Sequence, residues 1–163
     1  MLKTFYIKKK LNKNLKSLQI KGYPSQVKYV GVFCKYYDLD VESFIKNIRQ
    51  LYPNLVFTRC FELDHISKDK EYFIGSKSFD FKGDFKKKYI FEEFLKLDLV
   101  IDISERHSLV KNYAISFARH ACKISLGHLS DNSQYKLSIK LNTYNLDDFY
   151  KELEKYHNIL KNG

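Results

Sequence analysis

Residues 97–127, LDLVIDISERHSLVKNYAISFARHACKISLG, decide the fold class of this chain. The apolar run Leu97–Ile103, interrupted by two aspartates, is typical of a strand buried on both faces. Apolar side chains then recur at helical spacing from Val110 to Ala121, and a second short apolar run covers Cys122–Leu126. A strand, a helix and a strand within about 30 residues indicate a βαβ unit, which predicts a parallel sheet.

The flanking segments extend the same pattern. Val27–Cys34 and Leu55–Phe61 are predicted strands, and the helix between them is capped by Asp38 or Asp40 and runs to Tyr52. Further predicted elements are a short strand at Tyr72–Ile74, a helix at Tyr89–Lys96, an edge strand at Tyr135–Leu141 with all its apolar residues on one face, and a last helix, capped by Asn145 or Asp147, to about Leu160. We expect a single three-layer Rossmann-like α/β domain with a mostly parallel sheet in residues 23–163, preceded by a basic amphipathic helix in residues 1–22.

Composition limits the class of protein. A chain of 163 residues fits one domain, and its two prolines and six glycines argue against long disordered tracts. No apolar stretch is long enough to cross a membrane, and the run Lys8–Lys10 interrupts any apolar region of a secretory signal. Three cysteines without metal-ligand spacing predict reduced thiols in a cytoplasmic protein: Cys34, Cys60 and Cys122.

The net charge of +10 is unevenly distributed. Residues 1–37 contain nine lysines and no acidic residue, whereas the remaining 126 residues carry twenty basic and nineteen acidic side chains. Such asymmetry predicts an acidic partner for the N-terminal segment, namely RNA, an anionic membrane or an acidic protein surface. The alternative is that these lysines serve solubility.

Residues 2–19 are predicted to form a helix with a narrow apolar stripe of Ile7, Leu11, Leu15 and Leu18. Six lysines surround this stripe and are candidate contacts for a nucleic acid or another acidic surface: Lys3, Lys8, Lys9, Lys10, Lys13 and Lys16. The stripe can pack on the domain, lie in a membrane interface or contact a partner.

Residues 79–88 interleave aromatic and basic side chains. The segment Phe79–Phe85 alternates aromatic with polar residues, and Lys82, Lys86, Lys87 and Lys88 lie among them. Basic residues between aromatic ones can bind single-stranded nucleic acid by stacking and phosphate contacts. The alternative is a connecting loop that its aromatic side chains hold on the core.

A ligand site is predicted where two strands of the sheet end. In a doubly wound sheet, strands 28–34 and 97–103 are neighbours, and ligands bind beyond their carboxyl ends. The residues expected there are Lys35, Tyr36, Ser104, Arg106, His107 and Ser108. With Ser104 as the N-cap of the next helix, Arg106 and His107 would favour a phosphorylated metabolite, although Glu105 would repel it.

Specific catalytic and cofactor motifs are missing from the sequence. There is no GxGxxG or GxxxxGK[ST] pattern, so no dinucleotide is expected, and the five histidines lack HExxH spacing. We therefore predict no catalytic residues, no metal and no cofactor. Asp102, within its apolar run, is either an acid of raised pKa or a partner of loop amides at the strand end, and we favour the second.

Two resemblances add to these predictions. The succession KYVGVF (28–33), LVFTRCF (55–61), FDF (79–81), LDLVIDIS (97–104), a helix and a short strand ending in glycine resembles a small uncharacterised bacterial family, a domain of unknown function. The resemblance spans residues 1–161 and implies a lysine-rich helix before a Rossmann-like domain, without an assigned activity. Residues 97–127 also resemble the acceptor-side half of heptosyltransferase-like glycosyltransferases, which carry a second, nucleotide-sugar domain after it.

The sequence does not name a reaction. Its charge asymmetry favours a non-enzymatic cytoplasmic binding module whose basic helix docks on RNA, a ribonucleoprotein or another acidic surface. The first alternative is a small ligand-binding protein or enzyme that uses the cleft beyond strands 28–34 and 97–103. The second is a peripheral membrane protein attached through residues 2–19.

Overall fold

The computed structural model describes residues 1–63, 72–105, 107–127 and 134–162 of the chain. Helices and strands alternate along these residues. The helices are α1 (Leu2–Lys16), α2 (Leu39–Leu51), α3 (Lys88–Lys96), α4 (Leu109–Ser116) and α5 (Leu146–Asn162), and a 3-10 turn covers Ser76–Ser78. The strands are β1 (Tyr29–Cys34), β2 (Phe57–Glu62), β3 (Leu99–Asp102), β4 (Cys122–Leu126) and β5 (Leu137–Ile139).

The described strands form one parallel sheet in the order β2-β1-β3-β4-β5. In its centre, Val32 of β1 lies between Cys60 of β2 and Ile101 of β3. The strand order reverses at β1, so β1 and β3 are neighbours, as predicted for a doubly wound sheet. The predicted α/β class and three-layer Rossmann-like architecture are confirmed.

Each face of the sheet buries its own apolar core. On one face, α2 and α5 cover strand residues such as Val32 and Ile101 with Phe44 and Phe149. On the other face, α1, α3 and α4 cover a more aromatic cluster: Phe33, Phe61, Phe79, Phe94 and Tyr113. Because successive strand residues point to opposite faces, a strand buried on both faces has the continuous apolar sequence seen in β3.

The N-terminal helix α1 packs on α4. Ile7 is 2% exposed and Leu11 is 7% exposed, and both belong to the aromatic core cluster. The helix ends at Lys16, three residues before its predicted end, and Leu18 lies outside it. The apolar stripe of α1 is therefore directed toward its own domain.

Side-chain caps set the starts of three helices. Asp38 accepts a hydrogen bond from the Val41 amide at the start of α2, and Asn145 accepts bonds from the amides that open α5. The prediction that Ser104 caps the helix after β3 is wrong. The N-cap of α4 is Ser108, whose hydroxyl accepts from the Lys111 amide, because the side chain of Ser104 is bound to Asp102.

Two other local predictions need correction. Tyr72–Ile74 does not form a strand, since only Phe73 makes a single bridge, to Glu62. Tyr135 does not share a face with Leu137 and Ile139, because it precedes β5 and packs in the aromatic cluster on the opposite side of the sheet. Strand alternation holds only where the chain is paired, and these residues lie outside the ladders.

Candidate nucleic-acid interface

Two of the six lysines of α1 hold the helix in place. The Lys3 ammonium donates to the Ser76 carbonyl and, over 2.6 Å, to the Phe79 carbonyl. The Lys10 ammonium forms an ion pair with Asp84, 2.6 Å between Nζ and Oδ1. All three partners belong to residues 76–84, so these lysines contribute to internal contacts.

The other four lysines of α1 are exposed: Lys8, Lys9, Lys13 and Lys16. Their ammonium groups make no hydrogen bond or ion pair with the described residues, and α1 itself contains no acidic residue. Lys9, Lys13 and Lys16, spaced by four and three residues, lie together on the helix surface. With Asn12 they line a shallow depression of about 310 Å³. We call this surface, Lys9, Asn12, Lys13 and Lys16, the α1 lysine strip.

A rigid turn lies beside α1. Phe79 and Phe85 form an antiparallel bridge, and the Asp80 carboxylate accepts hydrogen bonds from the amides of Lys82 and Asp84. These hydrogen bonds lower the pKa of Asp80, and the bond from the Asp84 amide has the largest effect. Gly83 adopts φ +82°, a conformation that favours glycine, and its carbonyl accepts from the Tyr113 hydroxyl over 2.7 Å. Residues 79–85, called the Phe81 turn, are thus fixed to α4.

The aromatic residues of this region separate into two groups. Phe79 is fully buried and Phe85 packs against Phe79, Phe94 and Phe117, so both hold the segment on the core. Phe81 is 63% exposed at the tip of the turn. Phe79 and Phe85 thus fit the interpretation of a loop held on the core by its aromatic side chains. Phe81 points away from the core and is available for stacking on a base.

The residues predicted to bind a ligand at the ends of β1 and β3 occupy different local environments where the structure describes them. Lys35, Tyr36 and His107 are exposed, and Lys35 Nζ lies 5.8 Å from the centre of the Tyr36 ring. Ser108 caps α4, and Arg106 lies outside the described residues. Glu105 adopts φ +49°, an uncommon conformation for a residue with a side chain.

Ser104 belongs to a buried polar network below that junction. The Asp102 carboxylate accepts bonds from the Ser104 amide and hydroxyl, at 3.0 and 2.6 Å, and from the Tyr135 hydroxyl at 2.5 Å. Lys111 Nζ lies 2.7 Å from Asp102 and 3.1 Å from the Ser104 hydroxyl. Asp102 and Lys111 are both 0% exposed. These polar groups satisfy one another, and this arrangement fixes the connection from β3 to α4.

Burial also affects the Tyr135 hydroxyl of this network. It raises the pKa of Tyr135 well above the usual value, and the nearby Asp102 charge acts in the same direction. Asp102 was expected to bond loop amides, and its bond from the Ser104 amide confirms this. With Lys111 and Tyr135 on the same carboxylate, the network lacks a free nucleophile or base.

A second buried lysine lies on the same side of the sheet. Lys123 of β4 is 2% exposed and pairs in register with Val100, so its side chain leaves the sheet on the face covered by α4. Its ammonium has no hydrogen-bond or ion-pair partner among the described residues. Desolvation lowers the pKa of Lys123 to about 8.

The sequence pattern did not predict that Lys111 and Lys123 are buried, and it predicted the wrong face of the sheet for Tyr135. The only local signal was an aspartate within an apolar strand, which calls for a buried partner. Asp102 has two such partners in the folded domain: Lys111 lies nine residues further along the chain, and Tyr135 lies thirty-three residues further. A lysine in a helix or strand otherwise indicates a solvated position.

Metal-ligand clusters and membrane-spanning helices are both absent from the described residues. None of their His, Cys, Asp and Glu side chains form a group of three or more that could hold a metal ion. No described helix has the length and apolar character needed to cross a membrane.

Comparison with known proteins places the chain in one family. The family model DUF6913, described as a family of unknown function, matches residues 3–160. No curated protein and no solved structure matches the chain.

Proposed function

This chain belongs to DUF6913, a family of unknown function, and we propose that it is a non-enzymatic module that binds RNA through α1. The observation that carries the proposal is the α1 lysine strip. Lys9, Lys13 and Lys16 surround one depression, and no described acidic side chain neutralises them. Phosphates spaced along a nucleic-acid strand would provide the missing negative charge and release counterions on binding.

The packing of α1 favours RNA over a membrane surface. A membrane-surface helix inserts its apolar face into the lipid. In this protein the apolar residues Ile7 and Leu11 are buried on α4, so that face is occupied. The surface that remains available is cationic and polar, with Leu2 and Phe5 as its exposed apolar residues.

The interior of the domain favours binding over catalysis. The Asp102 network, which lies at the end of β3, is buried. Lys111 neutralises Asp102, and the hydroxyls of Ser104 and Tyr135 are already bonded. This arrangement supports a structural role, which leaves the exposed charge of α1 as the feature available to a partner.

The test is RNA binding over a range of salt, with two variants of equal charge. One variant combines Lys9→Gln, Lys13→Gln and Lys16→Gln; the control combines Lys46→Gln, Lys151→Gln and Lys155→Gln on α2 and α5, whose lysines have acidic neighbours. Fluorescence anisotropy of the full chain should show a steep decrease in affinity between about 50 and 200 mM salt. The α1 variant should lower the slope of log K against log salt by about 2, and the control should lower it much less.

Two results would contradict the proposal. In the first, both variants bind RNA with the same affinity and the same salt dependence, which would mean that net charge alone is responsible. In the second, the unmodified protein ignores RNA at low salt but sediments with anionic vesicles, and α1 is then a membrane-surface helix.

A further inference from the structure

We infer that the RNA bound at the α1 lysine strip is single-stranded, and that Phe81 stacks on one of its bases. This inference rests on the proposed function and specifies its ligand. Duplex RNA presents phosphates and hydroxyl groups while its bases stay stacked within the helix. An exposed aromatic ring beside a cationic surface is instead complementary to an unpaired base.

The Phe81 ring is available for stacking. It is 63% exposed, and none of the described aromatic rings lies against it. The Lys82 ammonium lies 5.6 Å from the centre of the ring. This ammonium is placed to contact a phosphate next to a stacked base, since a nucleotide carries both groups.

The turn holds the Phe81 ring in position before any ligand binds. The Phe79–Phe85 bridge, the Asp80 carboxylate and the Tyr113 hydroxyl fix the backbone on both sides of Phe81. A side chain on a fixed backbone loses less conformational entropy on binding than one on a flexible loop. An exposed phenylalanine with this support differs from the isolated apolar residues found on most protein surfaces.

The Phe81 turn and the lysine strip are adjacent. Gly83 lies against Ile7, where an added Cβ would be 3.5 Å from the Ile7 side chain, and Asp84 pairs with Lys10. Lys13 follows Lys10 by three residues and so lies next to it on the helix surface. The turn that carries the Phe81 ring thus borders the strip at Lys13.

A second aromatic residue extends the strip along α1. Phe5 is 61% exposed and precedes Lys9 by four residues, so both lie on the same side of the helix. The sequence Phe5, Lys9, Lys13, Lys16 places an aromatic ring at one end of the strip, and Phe81 lies at its flank. A single strand can contact lysines with its phosphates and rings with its bases.

The experiment compares single-stranded and duplex RNA of about 20 nucleotides. The protein variants are Phe81→Ala and, as a matched control, Leu39→Ala, which removes an apolar side chain that is 82% exposed at the start of α2. Phe81→Ala should weaken single-strand binding by about 5- to 100-fold at every salt concentration. The slope of log K against log salt should stay unchanged because no phosphate contact is lost, and duplex binding should also stay unchanged.

The outcomes separate this inference from the proposed function. Equal binding of duplex and single strand, with no effect of Phe81→Ala, would overturn the inference. The proposed function would still hold if the lysine variant lowered the salt dependence. Loss of single-strand affinity in Phe81→Ala, with Leu39→Ala unchanged and both variants equally stable in urea, would support the inference.

Discussion

The charged side chains of α2 and α5, on one side of the sheet, are arranged differently from those of α1 on the other side. On the α2–α5 side, the two helices carry six acidic and five basic side chains, and several of these form pairs three or four residues apart, such as Glu42–Lys46 and Asp148–Lys151. On the α1 side, α1 has six lysines and no acid. That side also contains two fully or almost fully buried lysines, Lys111 and Lys123.

This difference shows that a lysine count alone does not define a binding surface. Paired lysines on α2 and α5 are locally neutralised and contribute little to the field around the protein. Lys3, Lys10 and Lys111 of the other side form internal contacts. The lysines of the α1 lysine strip have no acidic partner among the described residues, and an anion would therefore be attracted to that surface.

The largest expected effect comes from breaking the buried pair. Lys111→Met leaves the Asp102 carboxylate buried without its counter-charge, and we expect a loss of about 3–5 kcal/mol in the free energy of unfolding. The double variant Lys111→Met with Asp102→Asn removes both charges and should recover part of that loss. Urea unfolding of the two variants measures this difference, and equal midpoints for the single variant and the parent would contradict the role of the pair.

The second prediction concerns Lys123, a buried lysine without a described partner. Its pKa is lowered to about 8 from 10.5, so between these pH values the unfolded chain binds a proton that the folded chain does not. Stability attributable to this group should therefore rise with pH across that interval, by about 3 kcal/mol in total.

Lys123→Met should remove this rise and should stabilise the protein at pH 7. Lys136→Met, at an exposed position one strand away, is the matched control. Urea midpoints measured for both variants and the parent from neutral to alkaline pH give the comparison. A pH dependence identical in parent and Lys123→Met would show that the ammonium is solvated.

The smallest effect is expected on the α2–α5 side, at His157. Its Nδ1 lies 2.7 Å from the Tyr23 hydroxyl. Desolvation lowers the pKa of His157 below 6.5, and the charge of Lys161 lowers it further. Below pH 6.5 the unfolded state binds the proton more readily, so stability should decrease as the pH falls toward the folded pKa. Because the ring is only partly buried and solvent screens its charge, the change should be small.

Thermal unfolding at pH 7 and pH 5 tests this prediction. His157→Gln should be less sensitive to the change in pH than the parent. His120→Gln, at an exposed position, should keep the sensitivity of the parent. If the two variants behaved alike, the contact with Tyr23 would not depend on the protonation of His157.

Much of the fold could be predicted because it follows from local patterns. The continuous apolar runs gave β1, β3 and β4, and helical spacing gave the helices between them. Asp38 and Asn145 were each one of two candidate caps, because a side-chain oxygen just before an amphipathic stretch satisfies free amides. The cap of α4 was misplaced because Ser104 and Ser108 are equally plausible locally, and only the contact with Asp102 distinguishes them.

The candidate site was only partly predictable. The lysines of α1 could be identified from their charge. Lys3 and Lys10 hold the Phe81 turn, whereas the lysines of the strip are exposed. This division depends on which part of the chain packs beside the helix. The resemblance of residues 97–127 to a glycosyltransferase half stays a prediction, as does the ligand cleft that includes Arg106. A local sequence pattern shows which residue types are present, but it does not show which side chains contact one another in the fold.

The sequence by itself determined the parallel sheet, the amphipathic helices and the concentration of positive charge in α1, because periodicity and charge are properties of neighbouring residues. Only the tertiary structure decided that Lys111 neutralises Asp102, that Phe79 is buried while Phe81 is exposed, and that the turn lies beside α1. These facts depend on contacts between residues far apart in the chain. Such contacts are selected by the packing of the whole domain, because a buried charge or ring is stable only where the surrounding elements supply its partner.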